Sequence, residues 1–152
     1  MKRFQILFLL CLALSFTFSI FAQDTKEVII LQTSDVHSRI EPINQKGDKY
    51  YNKGGFVRRA AFFEEFRKDH KNVLLFDCGD ISQGTPYYNM FRGEVEIKLM
   101  NEMGYDAMTI GNHEFDFDVD NMARIFKMAD FPVVCANYNL DATVLKDIVK
   151  PY

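Results

Sequence analysis

Four short apolar segments, separated by longer amphipathic ones, constrain the fold of this 152-residue chain more than any other feature. They are rich in β-branched and large apolar residues and end at turn-forming residues, which is typical of buried strands. The four segments are EVIILQT (27–33), NVLLFD (72–77), DAMTI (106–110) and FPVVCAN (131–137). Strands that alternate with helices in this way indicate α/β units and a largely parallel sheet.

The amphipathic segments between the strands predict three helices. The first, FVRRAAFFEEFRKDH, has an apolar stripe on one face that consists of Phe56, Ala60, Phe63 and Phe66. The second, EVEIKLMNEMG, stops at Gly104, a favourable residue at a helix C-terminus. The third, VDNMARIFKMAD, follows Asp118, which we expect to cap its N-terminus. The stretches 37–55 and 82–93, which contain glycine and proline, predict loops.

The first 22 residues have the layout of a secretory signal peptide. Lys2 and Arg3 precede a long apolar run that ends at the small residue Ala22. Hydroxyl residues interrupt this run, which therefore favours cleavage after Ala22 over the alternative of an uncleaved transmembrane anchor. We expect residues 23–152 to be exported to the periplasm, cell surface or extracellular space, without a stable membrane span.

Charge and cysteine content limit the partners and crosslinks of the exported part. Residues 1–22 contain two of the 18 basic residues and none of the 21 acidic ones, so the remainder has a net charge of −5. This charge disfavours nucleic acid as a partner. Cys78 and Cys135 could pair in an oxidising compartment, but buried small thiols are favoured at both positions. The 130 residues from 23 onward suit one small domain.

Polar residues suited to divalent metals follow three of the four predicted strands. Asp35 and His37 follow the first strand, Asp80 follows the second, and Asn112 and His113 follow the third. Ligands of open α/β sheets bind outside the carboxyl ends of the strands, where the loops converge. We therefore expect all three clusters at one edge of the sheet.

The residue types at this edge suggest a centre for two metal ions. Asp35 and His37, at spacing two, offer an oxygen and an imidazole to zinc, manganese or iron. Asp80 has two carboxylate oxygens that can bridge two ions, and the Asn112 amide oxygen can bind the second. Two such ions can activate a water and hold the oxygens of a phosphoryl transfer. Each cluster alone also suits an ordinary polar loop, but the conjunction of three favours the metal centre.

His113 is expected to face the substrate rather than the metal ions. Asp116, three residues later, is placed to orient the His113 imidazole, as in other histidine–carboxylate dyads. Glu114, between them, is interpreted as a structural loop partner rather than a catalyst. Cys78, beside the proposed ions, is interpreted as a buried small residue rather than a ligand.

These motifs make the sequence resemble the calcineurin-like metallophosphoesterases, and more narrowly the 5′-nucleotidase family of exported nucleotide hydrolases. The matching stretches are LQTSDVHSRIEP, GGFVRRA, LLFDCGDISQGTPYYN and MNEMGYDAMTIGNHEFDFD. The resemblance implies an αββα sandwich with a dinuclear metal centre. It implies that Asp35 and His37 bind the first metal, Asp80 bridges the two, and Asn112 binds the second.

The resemblance also implies that His113 is catalytic, with Asp116 as its partner, and that a metal-activated water attacks the phosphate of a nucleotide. Members of the family complete the second metal site with later histidines, whereas the one remaining histidine here, His70, precedes the second strand at the opposite sheet edge. We therefore expect residues 23–152 to be the N-terminal portion of an incomplete metallophosphoesterase domain. The alternative is a non-catalytic fragment that binds at most one divalent metal; the oligomeric state is not predicted.

Overall fold

A four-stranded parallel sheet organises the computed structural model, which describes residues 25–151. Its strands lie side by side in chain order: β1 (Ile29–Thr33), β2 (Val73–Asp77), β3 (Ala107–Thr109) and β4 (Val133–Val134). The predicted α/β class and parallel pairing are confirmed. The predicted signal peptide, residues 1–22, lies outside the described residues.

The last two strands are shorter than predicted, and the residues that flank them have contacts outside the regular ladder of β3 and β4. Beyond β4, the Cys135 N–H donates to the Lys150 carbonyl oxygen at 2.7 Å, on the side of the strand that faces away from β3. Before β3, the Asp106 carboxylate accepts the N–H of Leu75 at 2.7 Å. A side chain there takes a backbone donor of β2, and the regular ladder begins only at Ala107.

The three predicted helices are present, and a fourth, short helix accompanies them. The helices are α1 (Phe56–Asp69), α2 (Pro86–Phe91), α3 (Glu94–Met103) and α4 (Asp118–Phe126). The prediction of a loop over residues 82–93 was wrong for α2, whose first residue is a proline with φ suited to a helix start. Within residues 25–151, no helix has the length and apolar character needed to cross a membrane.

Asp118 has the capping contact that the sequence predicts, although it is counted as the first residue of α4. Its φ of 77° is not helical, and its carboxylate accepts the Asn121 N–H at 2.9 Å. This contact satisfies one of the free donors of the first helical turn. The helix ends at Phe126, four residues before the end of the predicted segment.

The two faces of the sheet differ in burial. Parallel strands in chain order with right-handed crossovers place all connecting helices on one face. On that face Leu75, Met108 and Val133 are buried in one core with apolar residues of α1, α3 and α4. The opposite face is half-buried or exposed, and its residues are Ile30, Gln32, Leu74, Phe76, Ala107, Thr109 and Val134. The described residues thus form one sheet with one helical layer of the expected sandwich.

The two cysteines outside the predicted signal peptide are free thiols. Cys135 is buried, as predicted, but the prediction that Cys78 is buried was wrong, since it is exposed. Asp77, the last residue of β2, points into the helix-covered face. Alternation along the strand therefore directs Cys78 to the open face.

Candidate metal centre

Three turns at the carboxyl edge of the sheet bring two predicted ligands, His37 and Asp80, close to His113. The turns after β1 and β2 are joined because the Asp35 N–H donates to the Gly79 carbonyl oxygen at 3.1 Å, and the His37 N–H to that of Asp80 at 3.1 Å. The turn after β3 joins them because Asp80 Oδ1 accepts the His113 N–H at 2.9 Å. Asp80 therefore lies between the other two turns and contacts both.

The backbone of this edge is unusual for residues with side chains. Asp35, His37 and Asp80 have φ angles of 52°, 45° and 56°, in the left-handed region. Such conformations cost on the order of 1–3 kcal/mol each and cluster at functional sites. Gly79 and Gly111 make the close approach possible, because a Cβ on Gly79 would collide with the Gly111 backbone and one on Gly111 with the Asp80 carboxylate.

His37, Asp80 and His113 form a compact donor group. One ligand atom from each lies within 4.8 Å of the others. His37 Nδ1 lies 3.0 Å from Gln83 Oε1, and His113 Nδ1 lies 3.0 Å from Asp116 Oδ2. Each contact orients its ring and leaves the other nitrogen, Nε2, free. Two imidazoles and a carboxylate suit zinc, manganese or iron, so the donor set fits a divalent metal ion.

Asp35 and Asn112 lie at the same edge but outside this compact group. Asp35 Oδ1 is 3.8 Å from His37 Nε2, and the Asp35 side chain is largely exposed. Asn112 is exposed and immediately precedes a single 3₁₀ turn that begins at His113. Their roles as ligands remain predictions. His70 follows the last residue of α1, at the opposite end of the molecule's strands.

Glu114 is a buried residue that holds two turns of the site together through hydrogen bonds. Only 1% of its surface is exposed, and its carboxylate accepts four hydrogen bonds. Three donors are backbone N–H groups, of Asp80 at 3.0 Å, Ile81 at 3.0 Å and Gly111 at 2.6 Å. The fourth is the Ser82 hydroxyl at 3.1 Å. Glu114 therefore ties the turn after β2 to the turn after β3, which agrees with its interpretation as a loop partner.

Asp77 is a buried carboxyl group beneath the site that sequence reasoning missed. It is 3% exposed, and its oxygens accept the Gly79 N–H at 2.8 Å and the Thr33 hydroxyl at 2.5 Å. Burial raises the pKa of Asp77 to about 6, although these two hydrogen bonds oppose the rise. The strand pattern could have located it, because Asp77 shares its face with Leu75.

Glu96 on α3 is a second buried carboxyl group that was missed. It is fully buried, and neither carboxylate oxygen has a hydrogen-bond partner among the described residues. Burial raises the pKa of Glu96, and the nearby Ser38 hydroxyl opposes the rise without completing a hydrogen bond. Its spacing of four and seven from Met100 and Met103 places it on the apolar face of the helix, which was the available signal.

Comparisons with known proteins identify the family. The calcineurin-like phosphoesterase family matches residues 28–149. Snake venom 5′-nucleotidase of Gloydius brevicauda is 39% identical over 133 residues, which cover 83% of this chain and 23% of that protein. The 5′-nucleotidase of Homo sapiens is 40% identical over 116 residues, 73% of this chain and 20% of that protein. The crystal structure of the 5′-nucleotidase precursor from Thermus thermophilus matches with a TM-score of 0.74 and 37% identity, over 82% of this chain and 25% of that one.

The fold is therefore the α/β fold of the metallophosphatases. The chain belongs to the calcineurin-like phosphoesterase family, and the resemblance to 5′-nucleotidases that its motifs indicated is confirmed. Family membership implies divalent metal ions, and the group of His37, Asp80 and His113 fits one. The chain spans about a quarter of the length of the relatives it matches.

Proposed function

We propose that this chain carries the metal-binding part of an enzyme that hydrolyses phosphate monoesters, with nucleotides as substrates of the 5′-nucleotidase type. The observation that carries the proposal is the convergence of His37, Asp80 and His113 within 4.8 Å at the carboxyl edge of a phosphoesterase fold. Relatives named 5′-nucleotidase support the nucleotide as substrate. The net charge of −5 beyond residue 22 is consistent with a small-molecule substrate rather than nucleic acid.

In this proposal Asp35 and His37 would hold the first metal, Asp80 would bridge the two metals, and Asn112 would hold the second. Bound divalent ions of zinc or manganese type would supply a nucleophile from water at neutral pH and positive charge for the phosphoryl oxygens. Asp80 accepts the His37 N–H through its carbonyl oxygen and the His113 N–H through Oδ1, and these contacts with the turns after β1 and β3 support its proposed position between two metals. Gln83 supports the first site by fixing the ring of His37.

His113 lies among the possible metal donors, and we propose that it acts as the catalytic histidine beside the ions rather than as a ligand, with Asp116 as its orienting partner. Its Nδ1–H donates to Asp116 Oδ2 at 3.0 Å, which directs Nε2 away from the carboxylate. In the imidazolium form, Nε2–H can donate a proton to the leaving ester oxygen while Asp116 offsets the positive charge. The ring of His113 lies 5.1 Å from that of His37, so a phosphate that contacts the first site is within reach.

We also propose that the chain is exported and that residues 23–152 are the N-terminal portion of a larger metallophosphoesterase domain. Export is supported by the signal-like pattern of residues 1–22 and by similarity to a venom protein. A larger domain is supported by the half-exposed sheet face of Leu74 and Phe76 and by relatives about four times as long. The alternative is a non-catalytic chain that binds one divalent ion.

One experiment tests these proposals together. The full chain is expressed with its first 22 residues, the exported product is sequenced at its N-terminus, and phosphate release from AMP is measured with Mn²⁺ or Zn²⁺. We expect a product that begins at Gln23 and turnover that falls at least about 100-fold in His113→Ala, the loss typical of a missing general acid. Asp80→Asn is expected to abolish turnover and weaken metal binding.

His70→Ala is the matched control, because His70 is a histidine at the opposite edge of the sheet. It is expected to leave turnover and metal affinity unchanged. If this chain binds metal but releases no phosphate from AMP, while a version extended by the downstream reading frame does release it, this portion alone is non-catalytic. Metal binding without phosphate release in both forms would overturn the hydrolase proposal. Turnover that survives in both Asp80→Asn and His113→Ala would show that the chemistry occurs elsewhere.

A further inference from the structure

An open cavity of about 380 Å³ lies beside the metal centre, next to the turn after β1. Asp35 and His37 form one part of its wall, and Arg39 and Arg59 form another. Its volume is at the lower end of the roughly 300–1,000 Å³ range of ligand-binding pockets. Two predicted metal ligands and two guanidinium groups thus line the same cavity, and the proposed hydrolysis assigns no role to the guanidinium groups.

Arg59, on α1, is a half-buried cation without an anion in contact. Among residues 25–151, no carboxylate oxygen lies within 4.0 Å of it, and its Nε is buried without a hydrogen-bond partner. Its guanidinium lies over the Phe56 ring at 4.0 Å. Burial lowers the pKa of Arg59, because the charged form loses part of its solvation. A desolvated cation is costly unless an anion pairs with it.

Asp77 does not supply this pairing. It attracts Arg59 only at longer range, and its two oxygens already accept hydrogen bonds from Thr33 and Gly79. Tyr105, whose hydroxyl contacts the same Thr33 oxygen at 2.8 Å, also lies near Arg59. The donor capacity of the Arg59 guanidinium therefore remains available on the cavity side.

Arg39 is a second cation of the same wall with free donors. It is exposed, and among residues 25–151 its side chain makes no hydrogen bond or ion pair. Its backbone N–H donates to the Val36 carbonyl oxygen at 2.9 Å, which fixes the turn that carries it. Arg58, the neighbour of Arg59, differs because its guanidinium donates to the backbone and side-chain oxygens of Asn52.

The cavity wall between the two arginines also favours an anion. Gly54 and Gly55 present bare backbone to the cavity, and α1 begins directly after them. No side chain caps this helix and no acidic residue lies in its first turn. The partial positive charge of the helix N-terminus therefore adds to the charges of Arg39 and Arg59.

We propose that this cavity binds the oxyanion of a phosphate group, held by Arg39 and Arg59 beside the metal centre. Guanidinium groups form paired, charge-assisted hydrogen bonds with phosphate oxygens. Asp35 is the one acidic residue of the wall, and a divalent cation bound there would offset its repulsion of the anion. The site takes a phosphate that is not being hydrolysed, either orthophosphate or the second phosphate of a nucleoside diphosphate.

The test measures the affinity of the exported full chain, loaded with Mn²⁺, for inorganic phosphate by titration calorimetry. We expect Arg59→Gln and Arg39→Gln each to weaken phosphate binding about tenfold, which corresponds to about 1.4 kcal/mol. The affinity for Mn²⁺ is expected to stay unchanged in both variants. Arg58→Gln is the matched control and is expected to bind phosphate as the parent chain does.

Arg39→Gln keeps the test decisive if Arg59→Gln fails to fold, because Arg39 is exposed. Unchanged phosphate affinity in Arg39→Gln and in any folded Arg59 variant would overturn the proposal, as would a parent chain that binds no phosphate. A larger loss of affinity for ADP than for AMP in Arg39→Gln assigns the site to a second phosphate, and equal losses assign it to orthophosphate. Phosphate affinity is measured without turnover, so this proposal and the proposed hydrolysis fail separately.

Discussion

At the scale of single residues, the site is formed by side chains whose positions are fixed by backbone contacts. Asp80 shows this most clearly, since its φ of 56° is unfavourable for a residue with a side chain. Its N–H donates to Glu114, its carbonyl oxygen accepts the His37 N–H, and its Oδ1 accepts the His113 N–H. Contacts of this kind would hold Asp80, a proposed ligand, in place before a metal binds.

The buried carboxyl group of Asp77 is expected to make the free energy of unfolding depend on pH. Its pKa in the folded chain is about 6, raised by burial from 3.8. Between these values the folded state binds more protons than the unfolded state, so the free energy of unfolding falls as pH rises. At about 1.4 kcal/mol per pKa unit, the contribution lost from about pH 4 to pH 6 is about 3 kcal/mol. We expect Asp77→Asn to lower this slope by the contribution of Asp77 in urea unfolding measured across that range, and Glu96, whose pKa burial also raises, to account for what remains.

Asn suits the position because it carries no charge and can still contact Thr33 and accept the Gly79 N–H. Asp69→Asn is the control, since Asp69 is an exposed residue at the end of α1. It is expected to keep the slope of the parent chain. A slope in Asp77→Asn that equals the slope of the parent chain would mean that Asp77 makes no contribution and that Glu96 causes the pH dependence.

At the scale of elements, the strands and helices that have a clear hydrophobic periodicity were predicted correctly from the sequence. The runs that end at Thr33 and Asp77 form β1 and β2, and the helix that stops before Gly104 forms α3. Local patterns do not record where two neighbouring strands stop pairing, so the predicted fourth strand extended beyond Val134. The helix after Thr85 was missed because proline and glycine were taken as loop signals, although proline also starts helices.

The convergence of the three turns was predictable, but their connections were not. Parallel strands place Asp35, Asp80 and His113 at one edge by topology alone. The contact of Gln83 with the His37 ring depends on a loop conformation that hydrophobic periodicity in the sequence does not indicate. Within the described part of the chain, Arg59 likewise lacks an ion-pair partner because the oxygens of Asp77 accept hydrogen bonds from Thr33 and Gly79. Only the structure shows these contacts.

Glu114→Gln tests whether the connection between the turns after β2 and β3 sets the metal site. Glutamine keeps one acceptor oxygen and replaces the other with an amide nitrogen, which cannot accept a hydrogen bond. In one orientation of the amide the nitrogen faces the N–H groups of Asp80 and Gly111, and in the other it faces that of Ile81. Buried unsatisfied donors cost about 1–3 kcal/mol each, so we expect a loss of about 3 kcal/mol in urea unfolding. We also expect Mn²⁺ affinity to fall about 10–100-fold.

Glu65→Gln is the control, because Glu65 is an exposed residue whose contact is a surface pair with Lys68 at 2.9 Å. Its effect on unfolding is expected to stay within about 0.5 kcal/mol. If Glu114→Gln lowers stability but leaves Mn²⁺ affinity intact, Glu114 stabilises the two turns without positioning Asp80.

At the scale of the whole molecule, the sheet has one covered face and one open face. Consecutive residues of β2 lie on opposite faces. Leu75 packs against the helices and is 0% exposed, whereas Leu74 on the open face is only partly buried. The open face continues through exposed Ile30, at 63%, on β1. Apolar surface of this kind contributes little to stability until another layer covers it.

Leu74→Ala and Leu75→Ala, measured by urea unfolding, quantify this difference within one strand. Leu75→Ala is expected to cost about 2–5 kcal/mol, as for large-to-small changes in a packed core. Leu74→Ala is expected to cost less than about 1.5 kcal/mol, because part of its surface already contacts water. Equal losses would mean that the open face is covered in solution. In a longer protein that contains residues 23–152 and supplies a second sheet, the cost of Leu74→Ala should rise towards that of Leu75→Ala, because both leucines would then be packed.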